Sequence, residues 1–236
     1  MNQGIIDELI IIDDKKREEN IAQARKQGAV IPCTEGVIIG DKVKIGKGTV
    51  ILTGSLLLGE TVVGNDCVIG PNSLLYNVKT GDRNFLNAFQ GVNGEIKDDC
   101  DIGPYTQMRP DCVIGSGVHL GNFVEVKNSN IGEKTSVSHL TYIGDSDVGR
   151  EVNFGCGCVT VNYDGKEKHR TTVGNHSFLG CNTNLVAPVK VGDYAFTAAG
   201  STITEDVPEN SLGIARARQV NKINWVLKKK PYKGME

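Results

Sequence analysis

Between Ile39 and Leu75 the chain reads IGDKVK IGKGTV ILTGSL LLGETV VGNDCV IGPNSL L. Every sixth residue is aliphatic: Ile39, Ile45, Ile51, Leu57, Val63, Ile69 and Leu75. Four positions on from each aliphatic residue stand Val43, Thr49, Ser55, Thr61, Cys67 and Ser73, all small or β-branched, and Gly40, Gly46, Gly64 and Gly70 directly follow an aliphatic residue. This is a hexapeptide repeat. Each unit makes one short strand and a turn, and three units close a triangular coil. Aliphatic side chains point inward, small residues fit the corners, and glycine relaxes the turn dihedrals. Coils stack at roughly 4.8 Å, the ordinary strand spacing. No unit buries its apolar face alone, so only the stack is stable. The expected fold is all-β, a left-handed parallel β-helix.

Outward from this stretch the pattern weakens over residues 76–95, where Asn87, Gln90 and Asn93 occur, and resumes at Ile96, Ile102, Met108, Ile114, Leu120 and Val126. One residue is lost before Ile131, Val137 and Ile143, and another before Val148 and Phe154. A polar stretch, Asn162 to Thr172, interrupts the Thr160 unit before regular units return at Val173, Leu179, Leu185, Val191, Thr197 and Ile203. That stretch is too long for a turn and reads as a projecting loop, and long loops on a rigid scaffold often carry function. Residues 5–27 show helical periodicity with many charges and read as one solvated helix at the first coil. The tail carries Lys228, Lys229 and Lys230. The expected organisation is a helical segment over residues 1–30, a β-helix domain over 31–212 and a basic tail over 213–236.

Bulk composition narrows the function. The chain has 236 residues, a formal net charge of -2, 29 glycines and only 6% aromatic residues. General electrostatic attraction to nucleic acid is not expected. No apolar run approaches the ~20 residues of a membrane span, and the first thirty residues make a poor signal peptide because Asp7 and Glu8 interrupt the apolar run. The expectation is a cytoplasmic protein. The seven cysteines lack CxxC spacing and read as reduced thiols in small-residue slots.

Stacking arithmetic then places side chains. Equivalent positions three units apart lie above one another, so Arg109, after Met108, stacks with Lys127, after Val126. Adjacent like charges on paired strands are mildly destabilising; the pair is either two solvated cations or a clamp for an anionic group such as phosphate. His139, third residue of the Val137 unit, lies below Cys156, Cys181 and Ala199. One histidine at the foot of a ladder of small side chains describes a shallow groove roughly 14 Å long, which fits an extended pantetheine arm; small residues are also common in such a fold. Glu125 and Tyr142 stack at the corner next to Asn122 and His139. An acid near a histidine fixes its tautomer and raises its basicity.

At these residues the chain resembles the acetyltransferase half of the bifunctional N-acetylglucosamine-1-phosphate uridyltransferase/glucosamine-1-phosphate N-acetyltransferase family. The resemblance runs from about Val37 to Gln219. It is carried by Ile102-Gly103-Pro104, Met108-Arg109-Pro110, Gly121-Asn122-Phe123-Val124-Glu125-Val126-Lys127, Ser138-His139-Leu140-Thr141-Tyr142, Val161-Asn162-Tyr163-Asp164-Gly165, Asn184-Leu185-Val186-Ala187-Pro188-Val189 and Ala198-Ala199-Gly200-Ser201-Thr202. It implies acetyl transfer from acetyl-CoA to the amine of glucosamine-1-phosphate, within UDP-N-acetylglucosamine and cell-wall synthesis. His139 is the implied general base, with Glu125 behind it. Arg109, Lys127, Tyr142, Asn153, Asn162, Tyr163 and Lys168 match residues that hold the sugar phosphate, some of them donated by a neighbouring subunit of a homotrimer. Cys156, Cys181, Ala199 and Arg216 match positions lining the acetyl-CoA site, with the Cys156 N–H as implied oxyanion donor. No catalytic metal is expected, because no two of His119, His139, His169 and His176 are five residues apart, the spacing seen in zinc-binding hexapeptide proteins. The family's nucleotidyltransferase domain is missing from the sequence, so uridylyl transfer is not expected. A different amino sugar or an amino acid as acceptor stays open, as does a non-catalytic subunit serving a separate nucleotidyltransferase.

Overall fold

The computed structural model describes residues 3–231 and 233; residues 1, 2, 232 and 234–236, the outer ends of the two expected terminal segments, lie outside the described residues. Over the rest, 25 short parallel strands join into one continuous sheet wound as a left-handed β-helix of about ten turns. The register is the one the repeat dictates. Ile39 pairs with Leu57 and Leu57 with Leu75; Ile45 pairs with Val63, and Ile51 with Ile69. These inward residues form one core running the length of the coil.

The small residues have a specific task at the corners. A corner carbonyl falls outside the strand ladder, and a buried unpaired carbonyl is costly. The Thr49 hydroxyl donates to the Gly64 carbonyl at 2.7 Å, Thr135 to Gly149 at 2.8 Å and Ser177 to Gly192 at 2.8 Å. A second device caps corner N–H groups. Lys47 N donates to Asn65 Oδ1, Asn65 N to Asp82 Oδ1 and Asp82 N to Asp98 Oδ1. Each coil's Asn or Asp thus closes the amide of the coil before it.

Over residues 76–95 the coil continues without a break. The strands Leu74–Thr80 and Gln90–Ile96 pair residue for residue. The hexapeptide pattern fades here because the aliphatic slot is taken by Gly91. Phe89, in the small-residue column, is fully buried, and its ring fills that space: a Cβ on Gly91 would lie 2.6 Å from the Phe89 ring. One large side chain from the wrong column replaces one aliphatic from the right one.

The N-terminal segment differs from the expected single solvated helix. It forms α1 (Gln3–Ile11) and α2 (Asp14–Lys26), broken where Asp13 in extended conformation caps α2 by accepting from Lys16 N. Ile5, Ile21 and Ala24 are buried. The lowest coil exposes an unpaired strand edge, which a β fold must cover. α2 covers it: Arg17 Nε donates to the Val37 carbonyl at 2.8 Å and Asn20 Nδ2 to the Ile39 carbonyl at 2.7 Å. α1 is fastened to the flank through Glu8 Oε2, which accepts from Gly59 N at 2.7 Å. At the other end the coil runs past residue 212. The strand Leu212–Gly213 pairs with Phe196–Thr197, and Thr202 N donates to the Ala215 carbonyl. Beyond it the tail is exposed and holds the short helix α3 (Trp225–Lys229). No helix among the described residues is long and apolar enough to cross a membrane.

Candidate active site

Two nine-residue strands, His119–Lys127 and Ser136–Gly144, run through a coil corner instead of stopping at it. They bend at Phe123 (φ 59°) and Leu140 (φ 45°), a left-handed conformation uncommon for bulky residues. Their pairing stacks Asn122 with His139, Glu125 with Tyr142, and Lys127 with Gly144. The corner therefore joins two sets of side chains, one on each side.

On the first side is His139. Its imidazole is exposed, and Nδ1 lies 2.9 Å from Asn122 Oδ1. The hydrogen-bond partner of the imidazole within the protomer is thus Asn122, where the sequence reading had Glu125. An amide oxygen accepts, so Nδ1 carries the hydrogen and the Nε2 lone pair faces outward. The register Val137 to Phe154, Phe154 to Leu179 and Leu179 to Thr197 brings His139, Cys156, Cys181 and Ala199 into one column. These residues hold the same place in their units that Lys47, Asn65 and Asp82 hold at the capped corner. With thiols and a methyl in place of Asn and Asp, no described side chain caps the N–H groups of Cys156, Cys181 and Ala199. The column is a row of open donors. Arg216 sits at its far end, with Cδ 3.8 Å from where a Cβ on Gly200 would lie. Cys158 is buried beside the column. Burial pushes its thiol up to about 11, so near neutral pH it is not a thiolate nucleophile.

On the second side the cations gather with carboxylates. Arg109 Nη1 donates to Glu125 Oε1 at 3.0 Å, an ion pair with both partners well exposed and worth about 0–1 kcal/mol. Lys127 Nζ lies 3.7 Å from Asp145 Oδ2. Lys168, on the loop, reaches Lys127; that contact and the like charge hold the Lys168 ammonium below the usual lysine range. Asn162, buried at the root of the loop, donates from Nδ2 to Asp145 and to Tyr142 Oη. The loop itself is ordered by Asp164, which accepts from Glu167 N, Lys166 N and His169 Nε2.

The structure thus brings together Arg109, Glu125, Lys127, Tyr142, Asn162 and Lys168, and separately His139 with Cys156, Cys181, Ala199 and Arg216. Tyr163 is exposed, its hydroxyl donating to the Gly165 carbonyl. Asn153 is exposed on the strand before Cys156, and no contact joins it to the cationic group of its own protomer among the described residues. Two residues of the site escaped the sequence reading: Asn122 as imidazole partner and Asp145 as the carboxylate under Lys127. Counting one coil back from His139 and one coil on from Asn128 gives the register of both but not the contacts they make. No three His, Cys, Asp or Glu side chains among the described residues come together in a way that could hold a metal ion.

The bacterial transferase hexapeptide family (six repeats) matches residues 93–128. The bifunctional protein GlmU of Clostridium kluyveri is 52% identical over 187 residues, which are 79% of this chain and 41% of that protein. GlmU of Geobacillus sp. (strain WCH70) is 47% identical over 225 residues, 94% of this chain and 49% of that protein. The chain spans less than half the length of these relatives. Among solved structures, UDP-N-acetylglucosamine acyltransferase from Campylobacter jejuni is 18% identical, covers 88% of this chain and 77% of that chain, and has a TM-score of 0.43. Perosamine N-acetyltransferase from Caulobacter crescentus, solved with CoA and GDP-perosamine, is 15% identical over 59% of this chain and 69% of that chain, with a TM-score of 0.33.

Proposed function

The chain belongs to the hexapeptide-repeat transferases, as a homologue of part of GlmU, and on that premise we propose that it transfers an acetyl group from acetyl-CoA to the amine of glucosamine-1-phosphate. The observation that carries the reading is the open row of N–H donors, which ends at an outward-facing imidazole and lies around one corner from three cations. The pantetheine arm lies along Cys156, Cys181 and Ala199, where its amide carbonyls meet uncapped N–H groups. The acceptor phosphate lies against Arg109, Lys127 and Lys168, and its ring is held at Tyr142 and Asn162. Asn153, Tyr163 and Arg216 act on a neighbouring copy's half of the site or at its rim, in a homotrimer.

The chemistry is direct transfer. Asn122 holds Nδ1–H, so Nε2 of neutral His139 takes the proton from the attacking amine. Nitrogen bonds to the thioester carbonyl carbon. The resulting oxyanion is stabilised by the Cys156 N–H, a donor already in place. Collapse breaks the C–S bond, and the leaving thiolate takes the proton from the imidazolium. No covalent acyl-enzyme is required.

The cationic clamp gives the test. Removing one charge-assisted hydrogen bond to phosphate costs about 1.5–3 kcal/mol. Arg109→Ala and Lys127→Ala are therefore expected to raise the KM for glucosamine-1-phosphate by roughly 10–100-fold, with the KM for acetyl-CoA nearly unchanged. Steady-state kinetics with each substrate varied in turn checks this. Wild-type acceptor KM in both variants removes the clamp from the account.

A further inference from the structure

We propose that Asp145 is the positioning residue of the acceptor clamp: a buried carboxylate that fixes the Lys127 ammonium and the Asn162 carboxamide in one geometry beneath a phosphate. The proposal rests on the reading of Arg109, Lys127 and Lys168 as phosphate ligands.

Asp145 sits at the corner between the strands Ser136–Gly144 and Ser146–Val148, and it is 4% exposed. Oδ1 accepts from Asn128 Nδ2 at 2.5 Å, Oδ2 accepts from Asn162 Nδ2, and Lys127 Nζ stands 3.7 Å away. Three segments meet on it: its own corner, the end of the strand His119–Lys127, and the root of the loop.

The fold accounts for part of this. Asp145 ends a corner column of left-handed residues, Asn77, Asn93, Asp111 and Asn128, and Asn and Asp are the side chains that tolerate that conformation. Lower in the column the Asn77 amide donates to the Asn93 amide oxygen at 3.0 Å. Asparagine would therefore serve the corner equally well. It would not serve the site, because both groups facing Asp145 across its oxygens are amide donors, and an asparagine amide would turn a donor towards one of them. The negative charge is what the corner does not need and the lysines do.

The electrostatics agree. Burial pushes the Asp145 carboxyl up, but the hydrogen bonds from Asn128 and Asn162 and the charge of Lys127 outweigh it and hold it below the usual carboxylate range. The groups facing the two lysines are Arg109, Tyr142 and Asp145. Among them Asp145 is the carboxylate; Glu125, on the strand His119–Lys127, is engaged by Arg109. Its charge favours the protonated form of both lysines. Without it, Lys168, already depressed by Lys127, would lose its proton at still lower pH.

The test uses Asp145→Asn, with glucose-1-phosphate as an acceptor analogue that has no amine to acetylate. The expected result is a KM for glucosamine-1-phosphate raised about tenfold, a matching loss in calorimetric affinity for glucose-1-phosphate, and a KM for acetyl-CoA within about twofold of wild type. The alkaline limb of kcat/KM for the acceptor should move to lower pH, which a merely structural loss would not do. Asp145→Glu keeps the charge and should keep the limb at the wild-type pH. Should Asp145→Asn fail to fold, amine labelling of the wild type followed by peptide mass spectrometry gives an independent reading. Lys168 should be modified severalfold faster than Lys127, and glucose-1-phosphate should protect both. An Asp145→Asn protein with wild-type acceptor KM and pH limb, or equal labelling of the two lysines without protection, overturns the inference. A wild type that neither binds glucose-1-phosphate nor acetylates glucosamine-1-phosphate overturns the functional reading beneath it as well.

Discussion

His139→Ala is expected to lower kcat by about 10²–10⁴, the usual worth of a positioned general base, while acetyl-CoA affinity stays nearly intact. The imidazole is exposed and its one close partner is Asn122, so its loss takes no packing from the coil. The inward neighbour Val137 remains fully buried. The donors proposed to meet the pantetheine arm are backbone N–H groups of other coils and are untouched. What disappears is the group proposed to receive the amine proton and return it to the leaving thiolate. Asn122→Ala should act in the same direction more weakly, because it frees the ring without removing the base. Steady-state kinetics over pH checks this. Near-normal turnover by His139→Ala at neutral pH would leave amine deprotonation to solvent.

The second large effect is on stability. Leu120→Ala should lower the unfolding free energy by about 2–5 kcal/mol. Leu120 is fully buried, paired with Ile102 on the coil below and Val137 on the coil above. The ladder hydrogen bonds fix the spacing of those coils, so the cavity left by the leucine has little room to collapse, and cost rises with residual cavity volume. Leu120 also lies on the strand that carries Asn122, Glu125 and Lys127. Urea unfolding should show a lower midpoint with an unchanged slope, the signature of altered stability alone. An unchanged midpoint would mean that the coil repacks freely at this level.

The coil was legible because its period is rigid: an inward aliphatic every sixth residue sets strand, face and neighbour at once, as the pairs Ile39 with Leu57 and Val126 with Ile143 show. It became illegible where a different residue did the same work, as Phe89 does over Gly91. The helices read as one because the break between them needs no glycine or proline, only the capping side chain of Asp13. In the site, counting gave the columns but not the contacts. The stacking of Glu125 with Tyr142 followed from the period. That Glu125 turns to Arg109 and leaves His139 to Asn122 depends on side-chain reach, which a period does not encode. Asp145 was hidden by its conformation, since an aspartate at a left-handed corner looks like turn chemistry until its neighbours are known.

The measurement that bears most directly on the account is acetyl transfer by the purified protein with acetyl-CoA and a panel of amines. Thiol release is followed with a chromogenic reagent, and the product is identified by mass spectrometry. The expected result is CoA release equimolar with N-acetylglucosamine-1-phosphate, and far slower release with unphosphorylated glucosamine or with amino acids. No acetylated product from any amine, or glucosamine reacting as well as its 1-phosphate, would contradict it.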